Sequence, residues 1–162
     1  MKKNMTLIII GGIVVIVVLW FISAQNGLVT KEEAVTAKWS QVENVYQRRL
    51  DLIPNLVETV KGYAGHEEGT LTKVTELRSR VGGMNVSSEI LDDPAAMQKF
   101  QQAQSELGGA LQRLLVVSEN YPDLKANTNF LALQNQLEGT ENRISVERKR
   151  FIEAVQEYNT SI

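Results

Sequence analysis

A chain of 162 residues has room for one folded soluble domain, and its formal charge of −2 gives no broad attraction for nucleic acid. With no cysteine it has no disulfide, no thiolate metal site and no thiol nucleophile. Part of the length is not domain at all, because residues 5–24 read MTLIIIGGIVVIVVLWFISA without one charge.

Twenty such residues at about 1.5 Å each span about 30 Å, the thickness of a bilayer's hydrocarbon core. Trp20 and Phe21 suit an interfacial position. The reading is a transmembrane helix over residues 5–24 behind a short tail, residues 1–4. A cleaved signal peptide is the competing reading. The apolar run is long for one, and Ile22-Ser23-Ala24 departs from the small-x-small cleavage pattern. Gly11-Gly12 is not a GxxxG face, so no anchor-driven dimer follows from it. Lys2 and Lys3 precede the span and Lys31 and Lys38 follow it; the free amino terminus tips the N-terminus to the inside. The soluble domain is then expected outside the cytoplasm. Without Lys2 and Lys3, 15 basic residues face 19 acidic ones, so attachment to lipid rests on the anchor and not on charge.

After the span, Asn26-Gly27-Leu28 fits a helix terminus, and residues 25–29 are expected as a linker. Thr30-Lys31-Glu32-Glu33 then reads as a capping box opening the bundle, residues 30–162. From there positions 35, 39, 42, 46, 49, 53, 56, 60, 63, 67, 70, 74, 77 and 81 alternate steps of four and three, and eleven of the fourteen are apolar or aromatic. That pattern predicts one long helix over about residues 30–81, ended by Gly82-Gly83. Pro54 is expected to kink it near residues 49–53, splitting it into two segments if the bend is sharp.

Asp93-Pro94 starts a second helix, residues 94–119, with Met97, Phe100, Leu107, Leu111, Leu114 and Leu115 as its stripe. Asn120-Tyr121-Pro122-Asp123 is turn chemistry. A last helix over residues 127–160 carries Phe130, Leu133, Leu137, Ile144, Phe151, Val155 and Tyr158 in register. The fold class is all-α: an antiparallel bundle of three long helices, or four segments if Pro54 divides the first.

The polar residues on or beside this seam are the site candidates: Arg48, Arg49, Asp51, Pro54, Asn55, Glu58, Glu138, Glu141 and Arg148. The bland reading is an Arg–Glu network between first and last helices that fixes which layers meet, with Glu147 a further partner. The sharp reading is a catalytic or ligand-binding carboxylate cluster, which would also want a nucleophile or a metal. His66 beside Glu67 and Glu68 is a lone potential ligand, and HExxH is absent, so no metal site or cofactor is expected. Trp39, Tyr46 and Tyr63 read as core aromatics. Gly62, Gly65 and Gly69 share a helical side and either permit close approach or are tolerated weak spots. The run ENRISVERKR, residues 141–150, mixes both signs and reads as a solvated face.

These residues also carry a resemblance. An N-terminal span followed by "NGLV", then "RRLDLIPNLVETVKGYAGHE", "LLVVSENYPDLKANTNFLALQNQLEGTENRIS" and "ERKRFIEAVQEYNTSI" are similar to the LemA family of bacterial membrane proteins. Together the blocks cover most of the soluble chain. The resemblance implies a single-pass protein of the bacterial inner membrane, a LemA-like helical bundle and no established enzymatic activity. It also implies relatives among proteins that build magnetosome membranes. Family members usually continue past the "YNT" block into a Phe-Pro-containing tail, which would lie beyond Ile162. The stretch from Gly82 to Asp93 matches no motif.

The functional expectation is a non-enzymatic membrane-anchored scaffold that self-associates as a homo-oligomer or meets an envelope protein partner, and binds no nucleic acid. An adaptor or sensor that modulates a membrane protease or signalling protein through the Arg48–Arg49/Pro54 region is the alternative. An enzyme using the acid cluster is the third class.

Overall fold

The computed structural model describes the backbone of residues 2–162 and the side chains of residues 10–162. Its first helix, α1 (Lys2–Lys61), is a single element of 60 residues, about 90 Å long at 1.5 Å per residue. Residues 2–4, expected as a tail, and residues 25–29, expected as a linker, are both helical. The reason lies in what a helix end requires. A glycine inside a helix costs about 1 kcal/mol, which neighbouring turns absorb. The expected terminus needed Gly27 in the left-handed conformation, and it does not adopt it, since no described residue has positive φ. Thr30 accordingly sits mid-helix, its hydroxyl donating to the Asn26 carbonyl at 2.9 Å instead of capping.

Of the expected span, the side chains of residues 5–9 lie outside the described ones. From Ile10 to Ile22 the large apolar side chains are 48–71% exposed, so no part of the protein covers them. This helix is long and apolar enough to cross a membrane.

α1 also runs unbroken through Pro54. Proline has no N–H to offer the carbonyl four residues back, which is that of Leu50. Arg78 supplies the missing donor, its Nε 3.0 Å from the Leu50 oxygen. The chain breaks later, in residues 62–67, where two weak helix formers, Gly62 and Gly65, coincide with a tightened last turn. There the Tyr63 and Ala64 amides both bond back to the Val60 carbonyl, at 3.0 and 2.8 Å. Gly62, Gly65 and Gly69 make no close approach to another element; a Cβ at each would meet only nearby backbone or open space.

The predicted long helix is thus two, and α2 (Glu68–Gly82) is the second. After a 3₁₀ turn (Ser88–Asp92) comes α3 (Pro94–Ser118), capped by Asp93, whose carboxylate accepts from the Ala95 and Ala96 amides. The turn chemistry at residues 120–123 leads into a single helical turn, α4 (Pro122–Lys125). α5 (Thr128–Asn159) is capped by the Asn127 side chain on the Phe130 amide. No strand occurs among the described residues.

Cross-contacts fix the order. α2 returns along α1, since Arg78 lies level with Leu50, and Trp39 Nε1 donates to the carbonyl of Val86 just past α2, at 2.9 Å. α3 climbs again, with Phe100 edge-on to Trp39 and Tyr46, and the Tyr121 hydroxyl donating to Glu67 beyond its end. α5 descends from Asn127 at Tyr63, past Phe151 at Trp39, to the Glu157 carbonyl that accepts from Lys31. The soluble part is an up–down–up–down four-helix bundle, and its first helix carries the apolar extension.

The core is continuous from Trp39, Val42 and Tyr46 through Ile53, Leu56 and Val60 to Leu124 and Phe130. One expected core aromatic is missing from it. Tyr63 is 45% exposed because α1 has already ended, and Ala64 takes the buried position.

Candidate functional site

Among the described residues the only buried charged side chain is Arg49, 3% exposed and midway up the bundle on α1. Burying a guanidinium without partners is expensive, so its contacts matter. One terminal nitrogen, Nη1, donates to Glu141 Oε1 on α5 at 2.8 Å. The other, Nη2, donates to the main-chain carbonyl of Gln104 on α3 at 3.3 Å and to the Gln104 side-chain oxygen. Its carbon centre stands 5.3 Å from the Tyr46 ring centroid, one helical turn away. A single side chain therefore ties three helices together at one level.

The node is incomplete. Arg49 Nε and Gln104 Nε2 are buried donors with no partner in the protein. Beside them, between α3 and α5 with α1 as floor, runs a groove of about 760 Å³. Its α3 wall carries Gln101, Ser105, Gly108 and Gly109, and its α5 wall Glu138, Asn142, Ser145 and Arg148. Burial pushes the Tyr46 phenol above its ordinary value; the Arg148 and Arg49 guanidiniums beside it pull the other way.

The site candidates separate into three groups. Arg49 and Glu141 are joined directly. Glu138 and Arg148 line the groove, and Glu138 accepts from Gln134 one turn back. Arg48, Asp51, Pro54, Asn55 and Glu58 are exposed on the outer side of α1; Asp51 accepts from Gln47, and Asn55 and Glu58 line a second, shallower groove against α5. Glu147 pairs with Arg150, not with α1. The run 141–150 is not uniformly solvated, since Glu141 holds Arg49 and Ile144 is buried. Gln104 and Gly108 escaped the sequence reading, although Gln104 sits on the apolar stripe of α3 between Phe100 and Leu107, the same signal that marked Arg49 on α1. Among the described residues no three His, Asp or Glu side chains converge as a metal site would require.

The LemA family's sequence profile matches residues 38–162, which is the whole bundle from Trp39 onward. The chain belongs to the LemA family. Among curated relatives, magnetosome protein MamQ of Magnetospirillum gryphiswaldense is 26% identical over 156 residues, covering 85% of this chain and 56% of that protein. Magnetosome protein MamQ 2 of Paramagnetospirillum magneticum is 26% identical with the same coverage. Protein LemA of Metamycoplasma hominis is 22% identical over 142 residues, covering 88% of this chain and 61% of that protein. This LemA-family chain thus spans a little over half the length of the curated relatives it matches.

Proposed function

We propose that this LemA-family protein is a non-enzymatic scaffold of the bacterial inner membrane, with its N-terminus inside and its bundle held outside the lipid by α1. The observation that carries this reading is the continuity of α1, which makes the apolar span and the bundle's first helix one element. Such a rod presents copies to one another side by side at a fixed height, the arrangement in which weak lateral contacts add up. The likeness to proteins named for the magnetosome points in the same direction. The bundle then self-associates, or gathers an envelope protein, beside the bilayer.

Chemical crosslinking in native membranes, with sizing of full-length protein and of a form lacking residues 1–24, tests the proposal. Oligomers or a defined crosslinked partner are expected for the full-length chain. A strict monomer in both forms, with no crosslinked partner, overturns it.

A second reading is favoured by one observation. Arg48, Asp51, Asn55 and Glu58 form an exposed polar stripe beside Pro54, suited to an adaptor that modulates a membrane protease or signalling protein. Reversing charge with Arg48→Glu and Glu58→Lys abolishes partner capture under that reading and leaves the thermal melt unchanged. Unchanged capture removes it.

A further inference from the structure

The groove between α3 and α5 holds two buried donors without an acceptor. Arg49 Nε and Gln104 Nε2 are both orphaned, and both side chains belong to the groove lining. Each of the two acids present already accepts one hydrogen bond, Glu141 from Arg49 and Glu138 from Gln134. Arg148 is exposed on the α5 wall and has no carboxylate within ion-pair distance among the described residues, whereas its neighbours Lys149 and Arg150 each have one. Arg148 and Arg49 both lie against Tyr46, so two guanidiniums approach the same end of the groove.

We propose that this end of the groove binds a small carboxylic acid bearing further polar groups. Its carboxylate meets Arg148 and the unpartnered donors of Arg49 and Gln104, and its polar remainder lies along Gln101, Ser105 and Asn142. A guanidinium and a primary amide present planar N–H pairs that match a carboxylate's two oxygens. Phosphate is the poorer match, because a second negative charge would sit beside Glu141 and Glu138. The volume lies in the range of small-ligand sites, about 300–1,000 Å³. The polar lining disfavours an apolar helix as occupant, since helix-in-groove recognition depends on an apolar trough. The inference goes beyond the scaffold reading and does not depend on self-association.

The test titrates full-length protein in detergent with N-acetylalanine, N-acetylalaninamide or inorganic phosphate, following backbone amide signals of Gly108, Gly109 and Ser145 by NMR. N-acetylalanine gives saturable shifts confined to the groove-lining parts of α3 and α5 and the Tyr46–Arg49 turn of α1. The uncharged amide and phosphate bind at least about tenfold more weakly, the loss of one charge-assisted hydrogen-bonded contact. Arg148→Gln weakens N-acetylalanine by at least about tenfold, and Arg150→Gln, outside the groove and paired with Glu147, leaves it unchanged. Both positions are exposed, and unaltered melts establish that the variants are folded. Absent or unsaturable shifts with N-acetylalanine, equal binding of the amide or phosphate, or full affinity in Arg148→Gln each overturns the proposal.

Discussion

Arg78 donates to the carbonyl of Leu50, the acceptor that Pro54 leaves without an intrahelical partner. A residue that would ordinarily end or bend α1 is thereby accommodated by the adjacent helix. Arg78→Ala is expected to cost about 2 kcal/mol, the range for a charged hydrogen bond to a partly buried acceptor. In a Pro54→Ala background the new N–H satisfies Leu50, so Arg78→Ala then costs less than half as much. Thermal unfolding of the four proteins in this double-mutant cycle provides the check; equal costs in both backgrounds would remove the coupling.

The Arg49–Glu141 pair is lopsided, with side chains 4% and 44% exposed. Glu141→Gln strands a buried cation, but the exposed partner was already half solvated. The expected loss is about 1–2 kcal/mol, below the 3–5 of a fully buried pair. Arg49→Met combined with Gln104→Leu and Glu141→Gln removes both the buried charge and the buried amide that partners it, and is expected within about 1 kcal/mol of the parent, or more stable. Denaturant melts of both variants decide it.

Tyr46 provides a pH dependence. Burial raises its folded pKa above the value of about 10 that the unfolded chain shows. Above that value the unfolded state holds fewer protons than the folded one, so stability falls as pH rises; below it the contribution is fully present. The melting temperature is expected to drop more steeply between about pH 9 and 11 in the parent than in Tyr46→Phe. Identical slopes would mean that Tyr46 does not titrate differently in the two states.

Helical continuity through residues 25–29 is measurable by amide hydrogen exchange in lipid nanodiscs. A linker exchanges at the rate of open chain, and a helix is protected by its i to i−4 bonds. Protection at Gly27 and Leu28 comparable to that at Lys31 is expected, and fast exchange confined to residues 25–29 would restore the joint.

Much of the bundle was legible because period-3.5 spacing and cap chemistry act locally. Trp39, Val42, Tyr46, Ile53 and Leu56 are buried where their spacing placed them, and Asp93 and Asn127 cap the helices they precede. The errors came where a local signal was outvoted by neighbours. Gly27 and Thr30 look like punctuation, yet strong helix on both sides carries the chain through them. Pro54 looks like the breaking point, and only the tertiary contact from Arg78, invisible in sequence, explains why the chain yields at Gly62 instead. At the site, a charge on an apolar stripe identified Arg49 on α1. Its partner Gln104 carried the same mark in weaker form, an uncharged amide that passes for a surface residue, and pairing across helices is not written in either segment alone.

A helix with no joint acts as a lever. From Ala24 to Lys61 the arm is about 55 Å, and transmembrane helices commonly lean by about 20° to match the thickness of their bilayer. With the span seated in lipid as proposed, a change of about 10° in that lean sweeps the far end of the bundle through roughly 10 Å, and a modest thinning of the lipid becomes a displacement as wide as a helix.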